Sequence, residues 1–155
     1  MIAYVDGGSR GSPGPAGVGV IIEHPTGRRV EISQSIGDRD NNYAEYAALL
    51  VALEYAAAYD SPSLQVYSDS EVVVRQVSGA YTCQSPALLD IHNACKALIA
   101  SFEQFAITHI RRQHNADADR LAKQAIHRAT HVTPEDSPEP AFPLAPPRLI
   151  PLEQT

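Results

Sequence analysis

The chain is short of positive charge, of cysteine and of long apolar runs, and each shortage excludes something. Lys and Arg number 12 against 18 Asp and Glu, for a net charge of −6 and a pI near 5.4. No global basic field advertises a nucleic-acid partner. Part of the deficit lies at the C-terminal end. From Val132 onward, Glu135, Asp136, Glu139 and Glu153 stand against Arg148, four minus one, a net of −3. Carboxylates that bind metal would also lose their effective charge. Two cysteines, Cys83 and Cys95, make neither a disulfide framework nor a zinc site, which points to a reducing cytosol. No apolar run reaches the roughly 18 residues of a membrane span, and Asp6 falls where the apolar core of a secretory signal would lie. A cytoplasmic location with no membrane partner is the expectation.

What is present begins with residues 2–8, a short apolar run that ends in Asp6 and two glycines. Such a run reads as a buried strand. A carboxylate there is costly unless partnered, so Asp6 either meets a cation or merely opens a turn, as Asp-Gly often does. Residues 7–17 hold five glycines. They lack Gly-Lys-Ser/Thr and no helix follows, which argues against a P-loop and for a loop whose backbone approaches a ligand. Residues 18–23 and 29–36 alternate as strands around the turn His24-Pro-Thr-Gly27.

After a polar loop at 38–42, residues 43–59 carry only Glu45 and Glu54 as charges, so they form a helix buried on most sides. Asn42 with Glu45 fits a capping box, which competes with a chemical role for Glu45. Residues 64–67 form a strand. Ser68 and Glu71 fit a second capping box opening a helix that stops at Gly79. Residues 87–101 form a helix, 105–110 a strand containing His109, and Asn115 caps a last helix with Ala118, Leu121, Ala122, Ala125 and Ile126 at helical spacing. The order β-β-β-α-β-α-α-β-α implies an α/β fold: one mixed five-stranded sheet, three antiparallel strands then two parallel, with helices on both faces. Residues 132–155, with seven prolines in the last 22, read as a disordered or docked tail following a folded domain at 1–131.

The acids now form a pattern. Asp6 ends the first strand, Glu45 begins the first helix, Asp69 ends the fourth strand and Asp119 begins the last helix. Ligands gather at the carboxyl ends of parallel strands where strand order reverses. Four acids converging there repel unless cations sit among them, and hard cations such as Mg²⁺ or Mn²⁺ suit oxygen donors.

These residues carry a family resemblance. Tyr4-Val-Asp-Gly-Gly8, Ser12-Pro-Gly14, Asn41-Asn-x-x-Glu45, Ser68-Asp-Ser70, His109 and Asn115-x-x-Ala-Asp-x-Leu-Ala122 occur in the order found in ribonuclease H, type 1, and the chain resembles that family over residues 1 to 128. The resemblance implies a nuclease that cuts the RNA strand of an RNA–DNA hybrid. It implies two divalent metals, Mg²⁺ or alternatively Mn²⁺, held by Asp6, Glu45, Asp69 and Asp119. It also implies that His109, on a mobile segment before the last helix, assists protonation or product departure. The residues placed to contact the hybrid are Gly7, Gly8, Ser9, Ser12, Asn41, Asn42, Ser70 and Glu71, and a monomer is expected.

The chain departs from the family at several points. Ser12 stands where many relatives carry Asn, Asp40 where many carry a phosphate-contacting Thr, and Glu71 where some carry Gln. The basic protrusion of some members is missing, since residues 79–103 contain only Lys96 as a cation. Asp117 competes with Asp119, and the Ala-Asp-x-Leu-Ala register favours Asp119. Two other classes stay open: a different metal nuclease of the same fold, and a non-catalytic hybrid-binding module.

Overall fold

The computed structural model describes residues 1–130; the segment read as a tail, 132–155, lies outside the described residues. Strands β1 (Ile2–Ser9), β2 (Gly14–Glu23) and β3 (Arg29–Arg39) come first, followed by helix α1 (Asn41–Ala58) and strand β4 (Ser63–Ser68). Helices α2 (Glu71–Ser78) and α3 (Pro86–Ile99), strand β5 (Gln104–His109), one 3₁₀ turn (Arg112–His114) and helix α4 (Ala116–Thr130) complete the order. The strands lie in the order β3-β2-β1-β4-β5. β1, β2 and β3 pair antiparallel, while β4 runs parallel to β1 and β5 parallel to β4. β1 is therefore central, at the point where the order reverses, and Asp6 lies near its carboxyl end.

α1 is buried along most of its length, through Tyr46, Leu49, Leu50, Leu53 and Tyr55 among others. It packs on β1 and β2 and is backed by α3, which is why its sequence lacks a polar face. α4 lies across β1, β2 and β3, burying Ala118, Leu121, Ala122, Ala125 and Ile126, the stripe expected from its spacing.

The structure corrects the sequence reading in four places. The glycine-rich segment is mostly strand rather than loop, since β1 runs to Ser9 and β2 starts at Gly14. Its glycines make room for helices: a Cβ on Gly7 would lie 2.0 Å from the Ala44 carbonyl oxygen. β3 continues to Arg39 because Asp38 and Arg39 still pair with Pro15 and Gly14, and α1 begins at Asn41, so the expected polar loop at 38–42 shrinks to Asp40. Asp40, not Asn42, caps α1, accepting the Tyr43 N–H at 2.7 Å. Ser70, not Ser68, caps α2, accepting the Val73 N–H at 3.3 Å, and Ser68 Oγ accepts the Ser70 N–H instead. Neither capping box forms, which releases Glu45 from that role.

Candidate active site

Asp6, Glu45 and Asp69 come together, one oxygen of each lying within 4.8 Å of the others. Each owes its place to a different element. Asp6 is carried by the central strand and is 7% exposed. Glu45 sits in the first turns of α1, and its Oε1 accepts the Gly7 N–H at 3.1 Å. That bond requires α1 to lie against β1, which only a glycine at 7 permits. Asp69 follows β4 directly, and Val5 and Ser68, the residues preceding Asp6 and Asp69, are register partners. Parallel pairing thus sets the two carboxylates side by side.

Asp119 arrives from the opposite face. Gly19 is the register partner of Asp6, and a Cβ on it would meet the Ala118 carbonyl oxygen at 2.1 Å. The bare backbone lets the first turn of α4 settle beside Asp6, with Asp119 near enough to push the Asp6 carboxyl up. Asp119 Oδ2 also pairs with Lys123 Nζ at 2.9 Å. Asp117 points elsewhere, to Arg29 at 2.9 Å on β3.

Burial first, then the charges of Glu45 and Asp69 and the hydrogen bond and charge of Asp119, hold the Asp6 carboxyl well above the usual carboxylate range. Burial and the charge of Asp69 raise Glu45 as well, opposed by the Gly7 N–H and by Arg112. Acids that resist ionising together are stabilised as carboxylates by a cation. The donors are all hard oxygens, which fits Mg²⁺- or Mn²⁺-type ions and not a thiophilic metal. Among the described residues this is the one cluster of three or more side chains arranged to hold a metal.

The remaining residues named from the sequence lie outside the three-acid group. His109 ends β5 opposite Ser68; it is exposed, lies outside the three-acid group, and stands on a paired strand rather than on the segment after it. Gly8 lies beside Asn41, whose Oδ1 would be 3.5 Å from a Cβ there. Asn41, Asn42 and Ser12 are exposed, and Ser9 Oγ donates to the Gly11 carbonyl at 2.6 Å. Ser70 is committed to capping α2, and Glu71 forms an i,i+4 pair with Arg75 at 2.8 Å. Two participants escape a reading of spacing alone. Arg112 is close enough to influence Glu45. Asn115, expected as a helix cap, turns its amide nitrogen to the Val5 carbonyl at 2.8 Å and to Asp69 Oδ2 at 3.4 Å. Its Oδ1 has no partner, so its side chain caps nothing.

Comparison with known proteins gives the frame its family. Residues 4–125 match the family model described as "Reverse transcriptase-like". The crystal structure of RNase H1 from the archaeon Halobacterium salinarum superposes with a TM-score of 0.78 at 40% identity, covering 83% of this chain and 98% of that one. The chain belongs to the ribonuclease H family, type 1. Another family member, LC11-RNase H1, has been crystallised in complex with an RNA/DNA hybrid; it matches at 38% identity and a TM-score of 0.76, covering 83% of this chain and 98% of that one. The curated Ribonuclease HI of H. salinarum is 40% identical over 125 residues, which is 80% of this chain and 63% of that protein. The chain thus spans less than two thirds of that relative's length. Membership of the ribonuclease H family implies use of a divalent metal, and the carboxylate cluster is where it fits. No described helix is long and apolar enough to cross a membrane.

Proposed function

We propose that this chain is an endonuclease that hydrolyses the RNA strand of RNA–DNA hybrids, leaving 5′-phosphate and 3′-hydroxyl ends. The observation that carries the reading is the convergence of Asp6, Glu45 and Asp69 within 4.8 Å, with Asp119 near enough to act on Asp6, on a ribonuclease H frame. The ions are Mg²⁺, with Mn²⁺ as the alternative, two per site. When bound, they supply an activated water and stabilise the leaving oxygen of an in-line displacement. Asp6 from the central strand, Glu45 from α1, Asp69 from the end of β4 and Asp119 from α4 would hold them.

The rest of the chemistry belongs to positioning. The Gly7–Glu45 bond fixes Glu45, so the acid set is assembled before substrate arrives, which avoids reorganisation during the reaction. The RNA strand is selected through its 2′-hydroxyls, the group that distinguishes it from DNA. The end of β1 at Gly8 and Ser9, with Asn41 across from it, forms one side of that contact. Ser12 and Asn42 extend it, and the Ser70–Glu71 end of α2 forms the other side. His109, one strand beyond Asp69, assists proton transfer or product departure. The test is a substrate panel of RNA–DNA hybrid, duplex DNA and duplex RNA, each with Mg²⁺ and with chelator. Metal-dependent cleavage confined to the RNA of the hybrid is expected. Cleavage of matched duplex DNA would assign the site to a different nuclease of this fold.

A further inference from the structure

One buried residue touches three of the segments that carry the acids, two through its side chain and one through its backbone. Asn115 is 2% exposed and stands between the 3₁₀ turn and α4. Its Nδ2 donates to the carbonyl of Val5, the residue before Asp6, at 2.8 Å, and to Asp69 Oδ2 at 3.4 Å. Its backbone carbonyl accepts the N–H of Asp119 at 3.1 Å. The orientation of the amide is determined by chemistry, since Val5 O and a carboxylate oxygen both accept only and the two N–H bonds of one amide nitrogen can serve both. The opposite end of the same amide is left with a buried, unpartnered Oδ1, which is unfavourable for a buried acceptor. A side chain kept for its own hydrogen bonding or for helix capping would use that oxygen.

We propose that Asn115 is a positioning residue that sets the metal-binding geometry by clamping the Asp69 carboxylate to the backbone of β1 beside Asp6. This rests on the reading of the cluster as a metal site. With Oδ2 held, rotation of the Asp69 carboxylate is restricted and its separation from Asp6 is set. The same residue anchors the first turn of α4 through Asp119. Asn115 touches neither hybrid nor reacting atoms; it acts through Asp69 and the strand.

The experiment titrates Mn²⁺ into the full chain without substrate, following free Mn²⁺ by its electron paramagnetic resonance signal. It compares wild type with Asn115→Ala, and circular dichroism establishes that both are folded. Outer-sphere partners of metal ligands typically contribute about 10–100-fold in affinity, so Asn115→Ala should bind Mn²⁺ at least about 10-fold more weakly. A folded Asn115→Ala protein with wild-type Mn²⁺ affinity overturns the proposal and leaves Asn115 as a structural clamp. A second measurement uses the wild-type fold and decides the matter if the variant does not fold. The side-chain NH₂ resonances of Asn115 should shift as Mg²⁺ is added to wild type and stay fixed in Asp69→Ala. Resonances that ignore Mg²⁺ in wild type overturn it. A wild-type chain that binds Mn²⁺ and cuts hybrid while Asn115→Ala binds equally well fails this proposal alone. A wild-type chain that does neither fails the functional reading beneath it.

Discussion

At the scale of single residues, the account turns on acids held closer together than water would leave them. Asp6 and Glu45 both bind a proton more tightly in the folded chain, chiefly through burial and then through neighbouring carboxylates. A raised pKa contributes stability that is complete below the unfolded value of about 4 and is lost as pH rises above it. The metal-free protein therefore carries a penalty at pH 8 that it lacks near pH 4. Asp6→Asn should raise the metal-free melting temperature relative to wild type, and the gain should be larger at pH 8 than at pH 5. Thermal melts in chelator at the two pH values check this; an equal gain at both would mean that the carboxylates do not repel. Asp119 and Asp117 separate the same way. Asp119 meets Asp6, whereas Asp117 is 62% exposed in an ion pair with Arg29, a type of contact worth about 0–1 kcal/mol. Asp119→Asn should nearly abolish hybrid cleavage and Asp117→Asn should leave it within about twofold of wild type, as steady-state turnover will read. The reverse pattern would put the active register two residues earlier.

At the scale of elements, sequence reasoning reached the strand and helix order, because period-2 and period-3.6 patterns are strong here. The α4 stripe and the apolar α1 were readable for that reason. Caps were not: Asn42 and Ser68 carried the right spacing, yet Asp40 and Ser70 won by lying where the strands actually end. Gly7 was assigned to a loop, and Gly19 to a strand with no role, because spacing cannot report what a missing side chain faces. Gly7 and Gly19 are the seats of α1 and α4, and only the packed structure shows Ala44 and Ala118 resting on them. The second donor of Asn115 was hidden likewise, since its acceptors lie 110 and 46 residues away. Gly19→Ala should therefore push the start of α4 off the sheet. The expected cost is about 1–3 kcal/mol, typical of an overpacked core, with Mg²⁺ affinity falling because Asp119 moves with the helix. Denaturant melts and metal titration would check this, and an unchanged metal affinity would show that Gly19 does not place Asp119.

At the scale of the whole molecule, the proposed function asks an acidic chain to hold a polyanion. Arg29 and Arg120 pair with Glu31 and Arg75 pairs with Glu71. Lys96 donates to the Val77 carbonyl, so the segment where some relatives are basic offers almost nothing. On the proposed reading, the arginines that would contact phosphate are Arg10, Arg111 and Arg112, together with Arg39, which stacks on Tyr43 at 4.3 Å. About 3–5 phosphate contacts follow, with a log–log salt slope near −0.9 for each contact on duplex DNA. Hybrid affinity measured against salt in Ca²⁺, where cleavage is suppressed, should give that shallow slope. A slope matching about 8–10 contacts would reveal a basic surface absent from the described residues. The most direct test of the central claim is cleavage of an RNA–DNA hybrid labelled on its RNA strand, in Mg²⁺, by wild type and by folded Asp6→Asn. The account predicts RNA fragments ending in 3′-hydroxyls from wild type and almost none from the variant. Equal cleavage by both would contradict it, because the acid on the central strand would then have no part in the reaction.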